Sequence, residues 1–139
     1  MFNWLKTQPV KPKTLGQLGE EKAQDEYRKL GFKIIAKNEY NKKGKQLGEI
    51  DFIALDKHRI VFVEVKTRSS SADRFGSGAE AVNVFKQRKI LAAVKMYFLR
   101  NPKYAVLAPQ IGVCVMEYSE LDKTFKSAKI IGNAVEDWN

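Results

Sequence analysis

Two carboxylates and one lysine, Asp51, Glu64 and Lys66, lie within the largely apolar segment 47–68. Carboxylates that face each other on neighbouring strands repel, because directly opposed side chains have Cβ atoms about 5 Å apart. A divalent cation between them would remove that repulsion, and Mg²⁺ prefers such hard oxygen ligands while keeping several of its waters. A lysine on the same strand face would lie within reach of a metal-bound water and of a phosphate. The three residues therefore predict a metal-dependent site suited to phosphodiester hydrolysis.

A β-hairpin is the element that must position these residues. The segment reads LGEIDFIAL, DKHR and IVFVEVKTR, which is two apolar, β-rich runs around a short polar turn. With the turn at 56–59, the register sets Asp51 opposite Glu64 and Glu49 opposite Lys66. Because side chains alternate between faces with period two, all four charged residues are expected on one face of the sheet.

Composition is that of an ordinary globular protein. The 139 residues, 44% of them hydrophobic and 29% charged, suffice for one domain with a core. One cysteine and one histidine exclude a disulfide framework and a zinc finger. No apolar run approaches the roughly 20 residues that span a bilayer, and the first residues do not form a secretory signal. We therefore expect a cytoplasmic protein with no membrane partner.

The formal net charge of +9 is unevenly spread along the chain. Residues 1–100 hold 21 Lys and Arg against 11 Asp and Glu, so the positive excess lies in the part that contains the hairpin. This distribution favours a polyanionic partner, with nucleic acid ahead of membrane. The candidate phosphate contacts are Lys42, Lys43, Lys45, Arg68, Arg74, Lys86, Arg88 and Lys89. A solvated basic surface without such a partner would explain the same charges.

A first helix is predicted to begin at Thr14, where Gln17 completes a capping-box pattern, and to end before Gly31. Glu20 lies at the edge of its apolar face, from which an acid could reach into a site. A favourable anion in the early part of a helix is the alternative interpretation of Glu20. The residues predicted to form the buried face are Leu15, Leu18, Ala23, Tyr27 and Leu30.

The chain divides into a basic N-terminal arm at 1–13 and a single domain at 14–139. Within the domain, the apolar patterns predict elements in the order α-β-β-β-α-β, with a candidate edge strand at the end. That order indicates an α/β protein with a mixed β-sheet flanked by helices. After the first helix the expected elements are a strand at 32–36, the hairpin, a helix from 79 or 83 to 100, and strands at 111–118 and 129–135.

Several short motifs carry a resemblance to a known family. Asp51 followed by Glu64-Val65-Lys66 resembles the D…(D/E)xK signature of the PD-(D/E)xK nuclease superfamily. The set GQLGEEKAQDEY, GEIDFIA, VFVEVKTR, RFGSGAEAV, KQRKI and GNAV is more specific. Together these motifs resemble the bacterial YraN-type family of predicted endonucleases, related in fold to archaeal Holliday-junction resolvases. The match covers residues 14–137.

The resemblance implies a restriction-endonuclease-like fold and hydrolysis of DNA phosphodiester bonds with Mg²⁺ or Mn²⁺. It implies that Asp51 and Glu64 bind the metal together with the backbone carbonyl of Val65. Lys66 would orient the attacking water and stabilise charge on the phosphate. Glu20 matches an acidic position that in the resolvases reaches the metal.

Three further positions follow from the same resemblance. Glu49 matches the family's GE-D pattern and would support Lys66 rather than bind the metal. Lys86 matches a recurrent helix lysine that would contact phosphate. Gly112 departs from the family, in which an aspartate commonly occupies the strand after the second helix.

By analogy with the resolvases, we expect branched DNA as the substrate and a homodimer as the assembly. A catalytically weak nuclease fold that binds DNA in a repair or DNA-processing complex is the alternative function. A third interpretation makes the hairpin charges only a buried ion-pair network, with no metal.

Overall fold

The computed structural model describes residues 11–37, 50–69 and 84–132. Two α-helices, five β-strands and a single 3₁₀ turn follow one another in these ranges. They are α1 (Leu15–Lys29), β1 (Lys33–Lys37), β2 (Phe52–Leu55), β3 (Arg59–Ser69), α2 (Val84–Arg100), the 3₁₀ turn (Pro102–Tyr104), β4 (Ala108–Ser119) and β5 (Thr124–Ile131). No helix in the described ranges has the length and apolar character needed to cross a lipid bilayer.

The five strands form one sheet in the order β1-β2-β3-β4-β5, so β3 is central. β3 and β4 run parallel, and every other neighbouring pair is antiparallel. The hairpin register is the predicted one over β2, with Leu55 paired to Ile60 and Phe52 paired to Val63. The predicted pairing of Asp51 with Glu64 is wrong, because the Asp51 N–H donates to the Val63 carbonyl, so the register shifts there. This is the α/β architecture expected from the sequence, a mixed sheet with a helix on each face.

Two apolar layers show which helix covers which face of the sheet. Ile60 and Phe62 of β3 pack with Ile90 and Val94 of α2. The alternate β3 residues Val61 and Val63 pack instead with Ala23 and Tyr27 of α1. Strand alternation therefore directs even-numbered β3 residues towards α2 and odd-numbered ones towards α1.

Helix α1 begins as predicted, because Thr14 and Gln17 form a reciprocal capping box at its N-terminus. Gly31 follows the helix with φ of +94°, a left-handed conformation that glycine adopts without strain. The predicted buried face is partly wrong, since Leu30 is 62% exposed and Leu18 is also exposed. The described buried residues of α1 are Gly19, Ala23, Gln24 and Tyr27.

Tyr27 fills the space between α1 and the sheet. Its ring meets Phe32 and Phe52 edge-on, with centroid separations of 5.5 and 5.4 Å. A Cβ at Gly112 would lie 2.6 Å from the Tyr27 hydroxyl and 3.1 Å from Val61, so the packing of α1 against the sheet requires glycine at position 112. The close approach of Tyr27 thus accounts for glycine at this position.

Replacing Tyr27 by Phe is expected to raise the free energy of unfolding by about 1 kcal/mol, measured by urea denaturation. The hydroxyl is buried without a hydrogen-bond partner among the residues that the structure describes. Burial, and secondarily Cys114, raises the pKa of this phenol, so the group stays neutral. A loss of stability in Tyr27→Phe would show that the hydroxyl has a partner in solution.

Candidate active site

Asp51 stands at the start of β2, where β3 continues beyond the described β2 pairing. Its backbone N–H donates to the Val63 carbonyl at 2.8 Å. Its carboxylate Oδ2 accepts a hydrogen bond of 2.7 Å from the backbone N–H of Val65. The Asp51 carboxylate therefore accepts the β3 hydrogen bond that the backbone of a longer β2 would accept. This contact fixes the side chain beside Glu64.

Val65 is the predicted backbone ligand, and its orientation suits that role. In an antiparallel strand, the N–H and C=O of one residue point towards the same neighbour. Since the N–H of Val65 points at Asp51, its carbonyl oxygen faces the same edge of β3. A cation at this edge would meet the Asp51 carboxylate and the Val65 carbonyl together.

Glu64 and Lys66 lie on the α2 face of β3, as the even-numbered residues must. The Glu64 side chain is 2% exposed, and its Oε1 lies 2.9 Å from Nζ of Lys66, which is 25% exposed. A carboxylate this deeply buried needs a positive partner, because removing a charge from water costs several kcal/mol. Lys66 provides that charge and keeps its ammonium partly open to solvent.

Glu20 approaches the same place from the opposite face of the sheet. The preceding residue, Gly19, lies directly on Thr67 of β3, and a Cβ at Gly19 would overlap the Thr67 hydroxyl. This close approach brings Glu20 near enough for its carboxyl group to share a hydrogen bond with Asp51. The site thus has one acid from each layer: Glu20 from α1, Asp51 from the strand edge, and Glu64 from the α2 face.

Burial raises the pKa of Asp51, and the neighbouring acids raise it further. Burial is the largest cause, and the neighbouring Glu20 and Glu64 add to it, while the hydrogen bond from Val65 acts in the other direction. The result is a pKa of about 7 for Asp51, against an ordinary 3.8. A bound proton or a metal cation would offset the burial of this carboxylate and its repulsion by the neighbouring acids.

Two carboxylates and a backbone carbonyl fit Mg²⁺, which takes its remaining ligands from water and substrate. Within the described ranges, no three His, Cys, Asp or Glu side chains are placed so that they could enclose a metal ion by themselves. Asp51, Glu64 and Val65 therefore form the candidate ligand set, with Glu20 next to Asp51. Such an open arrangement leaves room for a phosphate and an attacking water.

The other predicted site residues divide by location. Arg68 is on β3 with Glu64 and Lys66, on the same face and half-buried. Arg88 and Lys89 are exposed in the first half of α2, and the Lys86 side chain is not among the described ones. The predicted residues outside the described ranges are Lys42, Lys43, Lys45, Glu49 and Arg74.

Sequence reasoning missed the cleft beside Glu20. Gln24 and Lys37 line a space of about 450 Å³ together with Glu20. Gln24 follows Glu20 by one helical turn, a spacing that places both side chains on one face of α1. The sequence signal was therefore Gln24 itself, a polar residue four positions after Glu20 on a helix face with apolar neighbours.

The fold and the D…ExK arrangement on its central hairpin define an α/β protein of restriction-endonuclease-like architecture. The chain belongs to the YraN-type family, whose profile, described as Uncharacterised protein family UPF0102, matches residues 19–117. A UPF0102 protein of Clostridium botulinum is 36% identical over 124 residues, 89% of this chain and 95% of that relative.

Two further relatives are similar over a shorter part of the chain. A UPF0102 protein of Caldanaerobacter subterraneus is 48% identical over 88 residues, 63% of this chain and 67% of that relative. A UPF0102 protein of Caldicellulosiruptor saccharolyticus is 45% identical over 89 residues, 64% of this chain and 70% of that relative.

Proposed function

We propose that this protein is a metal-dependent endonuclease that hydrolyses DNA phosphodiester bonds. The observation that carries the proposal is the arrangement at the β3 edge. Asp51 binds the Val65 N–H at 2.7 Å, and the buried Glu64 holds Lys66 at 2.9 Å. These contacts support a site in which two carboxylates and one partly exposed ammonium act together at this end of β3. Phosphodiester hydrolysis needs such a combination of a cation site and a cationic side chain.

Asp51, Glu64 and the Val65 carbonyl would hold Mg²⁺ or Mn²⁺. The bound ion supplies charge neutralisation on the phosphate and a more acidic water. Lys66 would orient the attacking water and donate to a non-bridging phosphate oxygen. Glu64 holds the Lys66 ammonium through their ion pair. The Glu64 carboxylate is buried, whereas the Lys66 ammonium stays partly open to solvent and so to a substrate.

DNA is the proposed substrate because the net charge of +9 favours a polyanion. Branched DNA and a homodimer that cuts two strands follow from the likeness to resolvases. The exposed Arg88 and Lys89 of α2, on the helix that covers the Glu64 face, are candidate contacts to the backbone.

A DNA-binding module with little catalytic activity is the second candidate function. The absence of an enclosing set of three acids among the described residues favours it, since tight metal capture would then depend on substrate. This candidate predicts salt-sensitive DNA binding without cleavage.

A cleavage assay separates the two functions. Labelled linear, flap and four-way-junction DNA would be incubated with Mg²⁺, Mn²⁺ or EDTA. The endonuclease predicts metal-dependent cutting that EDTA abolishes, and the binding module predicts none under any of these conditions. Comparison of the three DNA substrates shows whether a branch is preferred.

Replacing Lys66 by Gln is expected to lower the cleavage rate by about 10²–10⁴-fold, measured in single-turnover reactions. Glutamine keeps an N–H donor for Glu64 but removes the positive charge. Lys126→Ala is the matched control, because Lys126 is exposed on β5 and pairs only with the exposed Asp122. Wild-type cleavage by a folded Lys66→Gln variant would remove Lys66 from the site.

A further inference from the structure

A cleft of about 450 Å³ opens between α1 and the end of β1, directly beside the carboxylate site. Glu20 belongs to both, since it lines the cleft and shares a hydrogen bond with Asp51. The cleft therefore adjoins the carboxylate site through Glu20. Its other polar wall residues include Lys11, Lys13, Gln24 and Lys37.

Gln24 is the most informative wall residue. The residue as a whole is 5% exposed, but its amide nitrogen and oxygen are not among the fully buried side-chain atoms that lack a hydrogen-bond partner in the described ranges. A carboxamide carries two N–H donors and a carbonyl acceptor, and buried groups of this kind are nearly always hydrogen-bonded. The Gln24 side chain is largely buried and lines the cleft, so its amide can donate there to a ligand that supplies acceptor atoms.

Lys37 supplies a positive charge at the same end of the sheet. It is exposed at the end of β1 and pairs with Phe52 of β2, the residue next to Asp51. Lys11 is exposed on the opposite wall, whereas Lys13 forms an ion pair with Glu21. Lys37 is therefore the cleft lysine whose strand partner adjoins Asp51, and no ion pair joins it to an acid within residues 11–37, 50–69 and 84–132.

The charge balance of the cleft favours an anion. Three lysines face two acids there, Glu20 and Glu21. Glu21 is neutralised by Lys13, and Glu20 is directed to Asp51. The remaining charge is positive and stands beside the amide donors of Gln24. A phosphate group, which offers several acceptor oxygens and a negative charge, matches both features.

We propose that this cleft is a second phosphate-binding subsite for the nucleic-acid strand that the carboxylate site holds. The Gln24 amide and the Lys37 ammonium donate to a phosphate on one side of the scissile bond. The identity of the ligand rests on the proposed nuclease function. The subsite would fix the direction in which the strand leaves Asp51, across the β1 edge of the sheet.

The test measures DNA binding by fluorescence anisotropy across a salt series, in Ca²⁺ to separate binding from Mg²⁺-dependent cutting. Lys37→Ala is expected to weaken binding and to reduce the salt slope by about 1, as for the loss of one phosphate contact. Lys33→Ala is the matched control, because it removes the same charge from the opposite end of β1, where Lys33 pairs with Leu55.

Gln24→Leu distinguishes a ligand contact from a structural role. Leucine replaces a largely buried amide with an apolar side chain, so thermal stability is expected to stay equal or rise while DNA binding weakens. A variant that loses stability, or one that is stable and binds DNA like wild type, would overturn the assignment of Gln24.

Oligonucleotides that carry one neutral methylphosphonate locate the contact. Neutralising one particular phosphate should weaken binding to wild type but not to Lys37→Ala, because the interaction is already lost in the variant. Equal effects of Lys33→Ala and Lys37→Ala, or equal penalties in both proteins at every position, would overturn the subsite. Lack of metal-dependent cleavage alongside an intact Lys37 effect would overturn only the nuclease function.

Discussion

Replacing Asp51 by Asn is expected to make the metal-free protein more stable at pH 8 and to abolish Mg²⁺-dependent cleavage of DNA. The gain in the free energy of unfolding should be on the order of 2 kcal/mol, below the full equivalent of the pKa shift because the site is partly open to solvent. Urea denaturation in EDTA measures the stability, and the cleavage assay measures the activity.

The sign follows from the direction of the pKa shift. Asp51 has a pKa of about 7 in the folded protein against an ordinary 3.8, mainly because of burial. A carboxyl group whose pKa is raised by folding does not lower the protein's stability at a pH below its pKa in the unfolded state. Stability is lost as the pH rises from that pKa through the higher pKa of the folded state. The advantage of Asp51→Asn should therefore be full above pH 7 and shrink as the pH falls towards 4. Asparagine keeps an oxygen that accepts the Val65 N–H.

Added Mg²⁺ should stabilise wild type much more than Asp51→Asn. A cation that binds only the folded state stabilises it by mass action, so wild type should gain thermal stability with increasing Mg²⁺. Asp51→Asn should gain little, because it lacks one of the charged ligands. Asp25→Asn is the matched control, since Asp25 is exposed on α1 and pairs with Arg28 at 2.9 Å. A destabilised Asp51→Asn at pH 8 in EDTA would contradict the raised pKa.

Local patterns in the sequence predicted most of the fold because each depends on neighbours in the chain. The hairpin register follows from the position of the turn and the two-residue period, and it set Leu55 opposite Ile60 correctly. The start of α1 follows from the Thr14 capping box. The final strand was predicted at 129–135 but is β5, Thr124–Ile131, whose first half is mostly exposed and lacks an apolar alternation.

The site was less predictable because it combines distant parts of the chain. The hairpin alone predicted that Asp51 and Glu64 lie near each other but set them directly opposite. Asp51 bonds instead to Val63 and Val65. The approach of Glu20 depends on how closely α1 meets β3. The misplaced buried face of α1 shows the same difficulty. Periodicity favoured Leu30, but the end of the helix projects into solvent, and Gln24 is buried instead. Gln24 lies within GQLGEEKAQDEY and Lys37 lies in none of the motifs, and only the structure placed both in one cleft with Glu20.

Gly19→Ala is the substitution that tests this long-range positioning. A Cβ at Gly19 would overlap the Thr67 hydroxyl and lie 3.2 Å from Thr67 Cβ, so α1 must move away from β3. Overpacking of this kind destabilises by about 1–3 kcal/mol. Because Glu20 is the next residue, its carboxyl group should move from Asp51, and Mg²⁺ affinity and cleavage should fall with stability. Thermal unfolding and calorimetric titration with Mg²⁺ measure the two effects.

Gly16→Ala is the matched control, since Gly16 is exposed one turn earlier in α1 and a Cβ there meets only Thr14 at 3.8 Å. Alanine is a better helix former than glycine, so this variant should gain up to about 1 kcal/mol and keep its Mg²⁺ affinity. Thr67→Ala removes the overlapping hydroxyl and should partly restore both properties to Gly19→Ala. This rescue acts through the α1–β3 contact alone. If the double variant is no more stable and binds Mg²⁺ no more tightly than Gly19→Ala, Glu20 is positioned by other contacts.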